Sequence, residues 1–415
     1  MGSEYPSIVL GEVAAIIMGQ SPPGTTYNET GKGLPFYQGV TDFGSRYPSR
    51  RVFCTSPTRI AKQGDILLSV RAPIGQVNVA SEECAIGRGL AIIRPHNPQN
   101  RIFIEFVLRA KQSVWHTLEG GGSVFGNAKR NDLECLEIVW PEEKIRYSVS
   151  SILGALDDKI ELNHQMNRTL EEMAQAIFKS WFVDFEFPND EGQPYKSSGG
   201  EMGYSEELQR EIPKGWVAKP IDEIANFLNG LALQKYPPKD ESYLPVIKIR
   251  ELRQGITESS DKASPDIDKR YIVDDGDILF SWSGSLEVCI WCGGKGALNQ
   301  HLFKVTSQTY LKWFCYQWIK FYLPKFQHIA KGKATTMGHI QRHHLSETYV
   351  LIPPKEINEI MNEIMNSLIE KFINNNLESR QLVNLRDALL PKLLSGEIRV
   401  NNLSSNRNAQ KEAPA

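Results

Sequence analysis

The chain has 415 residues, more than one typical domain needs, so we expect two or three domains. Its 41% hydrophobic and 23% charged content is ordinary for a globular protein, and no run of about 18 apolar residues predicts a membrane span. The formal net charge of −2 excludes the strongly basic total of an autonomous nucleic-acid binder. If the protein binds DNA, its positive charge must be local, or a partner must supply the rest.

The N-terminus and the cysteines indicate a cytoplasmic protein. The start, MGSEYPSIVLGEVAA, lacks the basic segment of a secretory signal peptide. The six cysteines are scattered, which is typical of reduced thiols. Cys289 and Cys292 form a lone CxxC without a second pair at zinc-ribbon spacing, so we predict no metal site.

The first 150 residues have the pattern of a mixed domain. Their pattern predicts a turn around Gly64 that leads into an apolar strand, a second strand at 91–93, a helix at 103–115, a Gly-rich loop at 119–131 and a strand at 136–140. Pro141 ends that strand, and a helix begins near residue 142. Short strands interspersed with helices indicate an α+β domain.

A long helix is predicted over residues 152–182. Its apolar and small residues recur at alternating steps of four and three, the heptad spacing that keeps one stripe facing a partner helix. The seam consists of Leu156, Ile160, Asn163, Asn167, Leu170, Ala174, Ile177 and Trp181. At 1.5 Å per residue, the helix would be about 46 Å long.

The partner of this helix occurs 212 residues later in the same chain. The matching seam consists of Leu368, Phe372, Asn375, Ser379, Leu382, Arg386, Leu389 and Leu393. Asn163 and Asn375 correspond, and asparagine in a seam usually fixes the register at a cost in stability. The alternative is that each segment is an ordinary core helix of a larger bundle.

The offset of 212 residues extends through the preceding domain. Residues 64–67 and 276–279 are both Gly-Asp-Ile-Leu, and Gly126 and Arg130 match Gly338 and Arg342. The chain is therefore a duplicated domain followed by a helix. We predict domains at residues 1–150 and 212–353, helices at 151–187 and 354–398, a Gly- and Ser-rich linker at 188–211 and a disordered tail at 399–415.

Three further segments carry a resemblance to a known family. They are AQAIFKSWFVDFEFP at 174–188, IPKGWVAKPIDEIA at 212–225 and LRDALLPKLLSGEIRV at 385–400. With the duplicated order of domain and helix, the chain resembles the specificity (S) subunit of Type I restriction–modification systems. The first copy departs from the pattern, since it begins without the IPKGW of the second.

The resemblance implies an α+β fold with two pseudo-repeated target recognition domains separated by two long antiparallel coiled-coil helices. Each domain would read one half of a bipartite site in double-stranded DNA, and the helices would dock two modification (methyltransferase) subunits. Motor–nuclease restriction subunits would join for cleavage. S-adenosylmethionine, ATP and Mg²⁺ are then expected on the partner subunits and no cofactor on this chain.

Motifs for chemistry in this chain are missing from the sequence. There is no Asn-Pro-Pro-aromatic motif of an adenine methyltransferase and no P-loop. Residues 264–269, SPDIDK, are better explained as a turn than as a nuclease motif, and His339, His343 and His344 as DNA contacts than as metal ligands. We therefore predict a non-catalytic subunit. The alternatives are a scaffold or orphan subunit that recruits partners without reading DNA, and an enzyme with an unrecognised site.

Two equivalent loops are the first candidates for DNA contact. Residues 325–346 contain three lysines, one arginine and four histidines but no acid, a composition suited to phosphate and base contacts. The candidates there are Lys331, Lys333, Thr335, Thr336, His339, Gln341 and Arg342, and those of the first copy are Ser123, Asn127, Lys129 and Arg130. The alternative is a solvated surface loop.

A second candidate surface follows the Gly-Asp-Ile-Leu strand. Arg71 corresponds to Ser283 and Arg88 to Gln300, and Ser285 lies in the same loop as Ser283. A shared scaffold with different polar side chains could read different half-sites, since arginine prefers guanine and glutamine prefers adenine. The arginines could instead hold turns through salt bridges. Weaker candidates are Gln20, Ser21, Gln38, Lys248 and Arg250.

Overall fold

The computed structural model describes residues 4–120, 126–332 and 338–400. The chain divides into two compact units, Met1–Leu162 with Gln381–Ala415, and Asn163–Arg380. Each unit contains one globular domain and a part of each long helix. The domain boundaries given above stay predictions, and the tail from residue 401 lies outside the described residues.

The first unit contains short strands and helices in mixed order. Its strands are β1 (Ser7–Val9), β2 (Ala14–Met18), β3 (Tyr27–Asn28), β4 (Leu34–Tyr37), β5 (Phe53–Cys54), β6 (Ile60–Ala61), β7 (Ile66–Ser69), β8 (Val77–Val79), β9 (Cys84–Ile86), β10 (Leu90–Pro95) and β11 (Glu137–Val139). Its helices are α1 (Leu10–Val13), α2 (Arg101–Ala110), α3 (Gln112–Gly120), α4 (Arg130–Glu134) and the start of α5 (Glu143–Phe178).

A central strand with two buried faces organises this domain. The strands β2, β10, β7 and β8 form an antiparallel sheet in that order, and β3-β5-β4-β9-β6 form a second sheet. Along β10, Leu90 and Ile92 join one hydrophobic cluster while Ala91 and Ile93 join another. Because side chains of a strand alternate between faces, a continuous apolar run is what such a strand needs.

The second unit repeats this plan. Its strands are β12 (Met202–Ser205), β13 (Arg210–Pro213), β14 (Val217–Pro220), β15 (Asn226–Asn229), β16 (Leu244–Ile247), β17 (Lys262–Ala263), β18 (Ile272–Val273), β19 (Ile278–Ser281), β20 (Val288–Ile290), β21 (Gly296–Leu298), β22 (Leu302–Thr306) and β23 (Tyr349–Ile352). Its helices are α6 (Ile221–Ile224), α7 (Ile249–Gln254), α8 (Lys312–Gly332), α9 (Arg342–Ser346), the end of α5 and most of α10 (Lys355–Ser395).

The register of the sheets confirms the duplication. Ile66 pairs with Ile93 in the first unit, and Ile278 pairs with Val305 in the second, an equal offset in both strands. The sheet β15-β22-β19-β20 matches β2-β10-β7-β8, and the parallel pair β16 and β21 matches β4 and β9. The predicted α+β class and the repeat of the domain are therefore confirmed.

Three local predictions differ from the structure. The helix predicted at 103–115 consists of α2 and α3, which are interrupted at Lys111. The predicted loop at 119–131 overlaps the end of α3 and the start of α4. The predicted linker at 188–211 is folded, because β12 and β13 form a hairpin and its apolar residues Met202 and Leu208 pack on the core of the second unit.

The two long helices are antiparallel and meet through polar side chains at their middle. Asn163 donates a hydrogen bond to the backbone oxygen of Asn375 (3.3 Å) and one to Glu378 (2.8 Å), while Asn375 donates to Asn167 (2.9 Å). All three asparagines are buried, and every residue of the two predicted seams is buried or half-buried. Reciprocal hydrogen bonds between buried amides restrict the register of the pair.

A ladder of buried ion pairs joins the domain of the first unit to its helix segments. Glu105 is 1% exposed and binds Arg101 (2.8 Å) and Arg109 (2.6 Å). Asp157 of α5 is 4% exposed and binds Arg109 (2.8 Å) and Arg386 of α10 (2.8 Å). Burial lowers the pKa of Arg386, but its hydrogen bond to Asp157 and the neighbouring carboxylates outweigh this, so its pKa is raised and the group stays charged.

The second unit has no such ladder among its described residues at the equivalent positions. The positions of the five ladder residues are occupied there by Trp313, Gln317, Phe321, Ile369 and Ala174. Trp313, Ile369 and Ala174 belong to the hydrophobic core of that unit. The same contact between domain and helices is therefore ionic in one unit and largely apolar in the other.

Candidate nucleic-acid interface

Four connections of the first domain lie around one cavity. They are the segments after β2 and β4, the turn after β7 and the turn before β10, and the segment before α4 lies beside them through the bridge between Arg71 and Asn127. The cavity has a volume of about 460 Å³ and is lined by Ser21, Gln38, Gly39, Val40, Thr41, Arg71, Ala72, Arg88 and Gly89. Four predicted candidates therefore meet at one place. We call Ser21, Gln38, Arg71, Arg88 and Asn127 the first tip.

Backbone contacts fix the shape of the first tip. Arg71 pairs with Asn127 in an isolated antiparallel bridge, and the N–H of Ala128 donates to the oxygen of Val70 (3.0 Å). The buried Ser69 hydroxyl donates to the oxygen of Pro73 (2.7 Å) and accepts from the N–H of Gln76 (2.8 Å), which closes the turn. The tip side chains themselves take no part in these bonds.

The two arginines of the first tip are not engaged in ion pairs within the described residues. Arg71 is exposed, and its side chain makes no hydrogen bond to another described residue. Arg88 is exposed and contacts only the Ser21 hydroxyl there, with its Nε at 3.5 Å. By contrast, Arg94 is held by Asp65 at 2.5 Å. Guanidinium groups without a carboxylate partner leave their donors available to an external acceptor.

The remaining candidates of the first domain lie close to the tip. Gln20 is exposed, and its N–H donates to the oxygen of Ile86 (3.2 Å). Lys129 is exposed and precedes α4, while Arg130 forms an ion pair with Glu134 on the same helix (2.8 Å). Ser123 lies outside the described residues.

The second domain places equivalent positions together. Ser283 pairs with His339 in an isolated antiparallel bridge, as Arg71 does with Asn127. Ser281 closes the following turn as Ser69 does, by donating to the oxygen of Ser285 (2.7 Å). The pairs Tyr37–Ile86 and Ile247–Leu298 place Gln38 and Lys248 at equivalent strand ends. We call Lys248, Ser283, Gln300, His301 and His339 the second tip.

The side chains of the second tip form a hydrogen-bonded group. The Ser283 hydroxyl lies 2.9 Å from Nδ1 of His301, and Nε2 of Gln300 lies 3.3 Å from Nε2 of the same imidazole. Trp282 packs on His301 with ring centroids 5.8 Å apart. Comparison of the two copies in the sequence does not single out His301, because its counterpart in the first copy is Gly89, which has no side chain to compare.

Lys248 and Arg250 are held within the second domain. Lys248 forms an ion pair with Asp261, and this hydrogen bond lowers the pKa of the Asp261 carboxyl. Arg250 binds Glu251 (2.8 Å) and the oxygen of Ser259 (3.0 Å). These two cations are therefore less available to an external ligand than Arg71 and Arg88.

The other candidates of the second domain lie on two sides of its tip. Lys331 and Ser285 line a separate cavity of about 420 Å³. Gln341 precedes α9, and Arg342 donates to the oxygen of Phe227 (3.3 Å) with its guanidinium 5.7 Å from the ring centre of Phe303. Lys333, Thr335 and Thr336 lie outside the described residues.

Metal chemistry finds no support in the part of the chain that the structure describes. No group of three or more His, Cys, Asp or Glu side chains there could hold an ion. Burial raises the pKa of Cys289 to about 12 and that of Cys292 to about 11, so these thiols are protonated near neutral pH. None of the described helices has the length and apolar composition of a membrane span.

Comparison with known proteins identifies the family. The family model for the Type I restriction modification DNA specificity domain matches residues 3–172 and again residues 213–384. The chain belongs to this family. It is a specificity subunit of a type I restriction–modification system with two recognition domains, and the predicted family and function are confirmed.

Individual relatives match the specificity subunit over most of its length. The MjaIX specificity subunit of Methanocaldococcus jannaschii is 30% identical, covering 95% of this chain and 93% of the relative. The HindI specificity subunit of Haemophilus influenzae is 26% identical, covering 81% and 87%. The crystal structure of the S subunit of a Type-I system from M. genitalium has a TM-score of 0.55 at 16% identity over 94% and 96%, and supports the fold.

Proposed function

We propose that each recognition domain reads one half of a bipartite double-stranded DNA target through its tip. The observation that carries the proposal is that the two tips have equivalent backbone contacts but different side chains at equivalent positions. Arg71 and Ser283 occupy equivalent bridge positions, as do Asn127 and His339. Polar side chains that differ on a common scaffold are suited to two different sequences.

The chemistry of the tips indicates which bases they favour. Arg71 and Arg88 present guanidinium groups, which bind guanine O6 and N7 in the major groove. Gln300 presents an amide, which pairs with adenine N6 and N7. We therefore expect guanine in the half-site of the first domain and adenine in that of the second.

Positioning on the DNA backbone would fall to cations beside the tips. Lys129 and Lys331 are exposed and suited to phosphate contacts. A net charge of −2 is nevertheless too low for a chain that neutralises a long site alone. We infer that two modification subunits, docked on the long helices, supply further positive surface, and that motor–nuclease subunits complete the restriction enzyme.

In this proposal the chain itself is non-catalytic. Methyl transfer and cleavage belong to the partner subunits, which would hold S-adenosylmethionine, ATP and Mg²⁺. The second candidate function is a scaffold that recruits these partners without reading DNA. The guanidinium groups of the first tip, which have no carboxylate partner among the described residues, favour the reader, because a scaffold has no need for them.

The test is site selection by the reconstituted complex. The chain is mixed with its modification subunits and random-sequence DNA, and methylated sites are sequenced. A split motif, altered in one half only by Arg88→Ala, supports the proposal. Assembly without an enriched motif would favour the scaffold, and methyl transfer by the isolated chain would contradict a non-catalytic role.

A further inference from the structure

The second tip contains an imidazole with polar neighbours on both of its nitrogens. Nδ1 of His301 faces the Ser283 hydroxyl at 2.9 Å, and Nε2 faces Nε2 of Gln300 at 3.3 Å. The ring is held in place by Trp282, whose own N–H donates to Asn229 (2.9 Å) and to the backbone oxygen of Gln300 (3.1 Å). His301 therefore lies between the two side chains that correspond to Arg71 and Arg88.

The donors and acceptors of this group determine the state of the imidazole. Nε2 of Gln300 carries two hydrogens and cannot accept, so Nε2 of His301 must be the acceptor. The imidazole is then neutral, with its hydrogen on Nδ1, which donates to the Ser283 oxygen. One N–H of the Gln300 amide is used, while its second N–H and its oxygen have no partner among the described residues.

The two remaining amide groups of Gln300 are those that adenine requires. An amide N–H donates to adenine N7, and the amide oxygen accepts from N6. We propose that His301 is a positioning residue for base selection: in its neutral form it fixes the orientation of the Gln300 amide for adenine in the second half-site. This inference rests on the proposed function, since it requires that the second tip contacts DNA.

The first tip provides an internal control. Gly89 occupies the position of His301, and a Cβ built on it would lie 2.1 Å from the oxygen of Gln38, so no side chain fits there. Arg88 is thus oriented without an imidazole. Base selection in the first half-site should therefore not respond to changes at His301.

The experiment measures base preference in the complex of the full chain with its modification subunits. Methylation of a DNA library with both half-sites randomised is sequenced for wild type, His301→Ala, His301→Gln, Gln300→Ala and Arg88→Ala. We expect His301→Ala and Gln300→Ala to reduce the adenine preference at one common position by about 5- to 150-fold. His301→Gln, which retains an acceptor, should restore part of it.

Each outcome is decisive. An unchanged preference in His301→Ala, or a uniform loss over all bases at that half-site, overturns the positioning role, because a merely structural residue would lower binding without changing selection. A position that Gln300→Ala alters and His301→Ala does not also overturns it. If wild type shows no base selection in either half-site, the proposed function fails instead, and the response of the first half-site to Arg88→Ala separates the two failures.

Discussion

Replacing Arg386 by alanine tests whether the ion-pair ladder stabilises the first unit through charge or through packing. Alanine is the residue at the equivalent position of the second unit, Ala174, so the backbone tolerates it. The change leaves one oxygen of the nearly buried Asp157 without its cation while Arg109 still binds the other. Removing one partner of a buried pair costs about 3–5 kcal/mol. Since Asp157 keeps Arg109, we expect about 3 kcal/mol.

The double variant Asp157→Ile/Arg386→Ala separates the two explanations. It copies Ile369 and Ala174 of the second unit and removes both the carboxylate and the guanidinium. Arg109 keeps its ion pair with Glu105, and the Asp387 carboxylate that loses Arg386 is 57% exposed, so no buried charge is left uncompensated. Apolar replacement of a buried ion pair is often neutral. We therefore expect the double variant to lie within about 1 kcal/mol of wild type, which makes it about 2–3 kcal/mol more stable than Arg386→Ala alone.

The assay must resolve the two units. Urea unfolding gives the free energy, and native-state hydrogen exchange of α2 and α8 assigns the loss to the first or the second unit. Arg50→Ala, which breaks an ion pair with 62% and 33% exposed side chains, is the matched control and should cost less than about 1 kcal/mol. Equal losses in the single and the double variant would refute the charge explanation and indicate packing of the arginine stem.

Three further predictions concern recognition and assembly. Arg88→Ala should reduce the discrimination in favour of guanine at one position of the first half-site by about 1–3 kcal/mol. Arg88→Lys should recover only part of this discrimination, and methylation-site mapping measures both variants. A uniform change over both half-sites would contradict independent tips. The isolated chain should bind specific DNA weakly and the complex with modification subunits tightly, measured by titration at several salt concentrations; a nanomolar, salt-resistant complex of the chain alone would disprove partner dependence. Asn163→Leu together with Asn375→Leu should raise the unfolding free energy, because the amides restrict the register of the two helices at a cost in stability. Amide hydrogen exchange in α5 and α10 should then show a spread of rates, as expected for a mixture of registers. A single well-ordered state of higher stability would argue against the register role.

Much of the fold is accessible from the sequence because of the repeat. The heptad spacing of Leu156 to Trp181 and its copy at Leu368 to Leu393 predict two long helices, and α5 and α10 confirm them. The folded hairpin of β12 and β13 is not predicted, since Gly and Ser indicate a linker when no long-range contact is visible. The contact of Met202 with the core of the second unit is not a local property of the sequence.

Prediction of the candidate tips is limited in the same way, because long-range contacts are not visible in the sequence. The offset of 212 residues is enough to pair Arg71 with Ser283 and Arg88 with Gln300. It does not pair Gln38 with Lys248, because the loops before the Gly-Asp-Ile-Leu strand differ in length, and only the parallel strand pairs reveal that equivalence. Nor can an offset show that Lys248 is held by Asp261 whereas Arg88 faces an open cavity.

The structure separates the residues that build a tip from those that give it chemical character. Ser69 and Ser281 are identical, buried and hydrogen-bonded to the turn that follows them. Arg71, which lies just beyond the strand segment that these bonds fix, is exposed and contributes no bond to the turn. Exposed side chains without partners usually change stability by less than about 0.5 kcal/mol when substituted. The scaffold therefore remains folded while its tip residues vary. A duplicated domain can thus come to recognise a second DNA sequence without altering the contacts that hold it together.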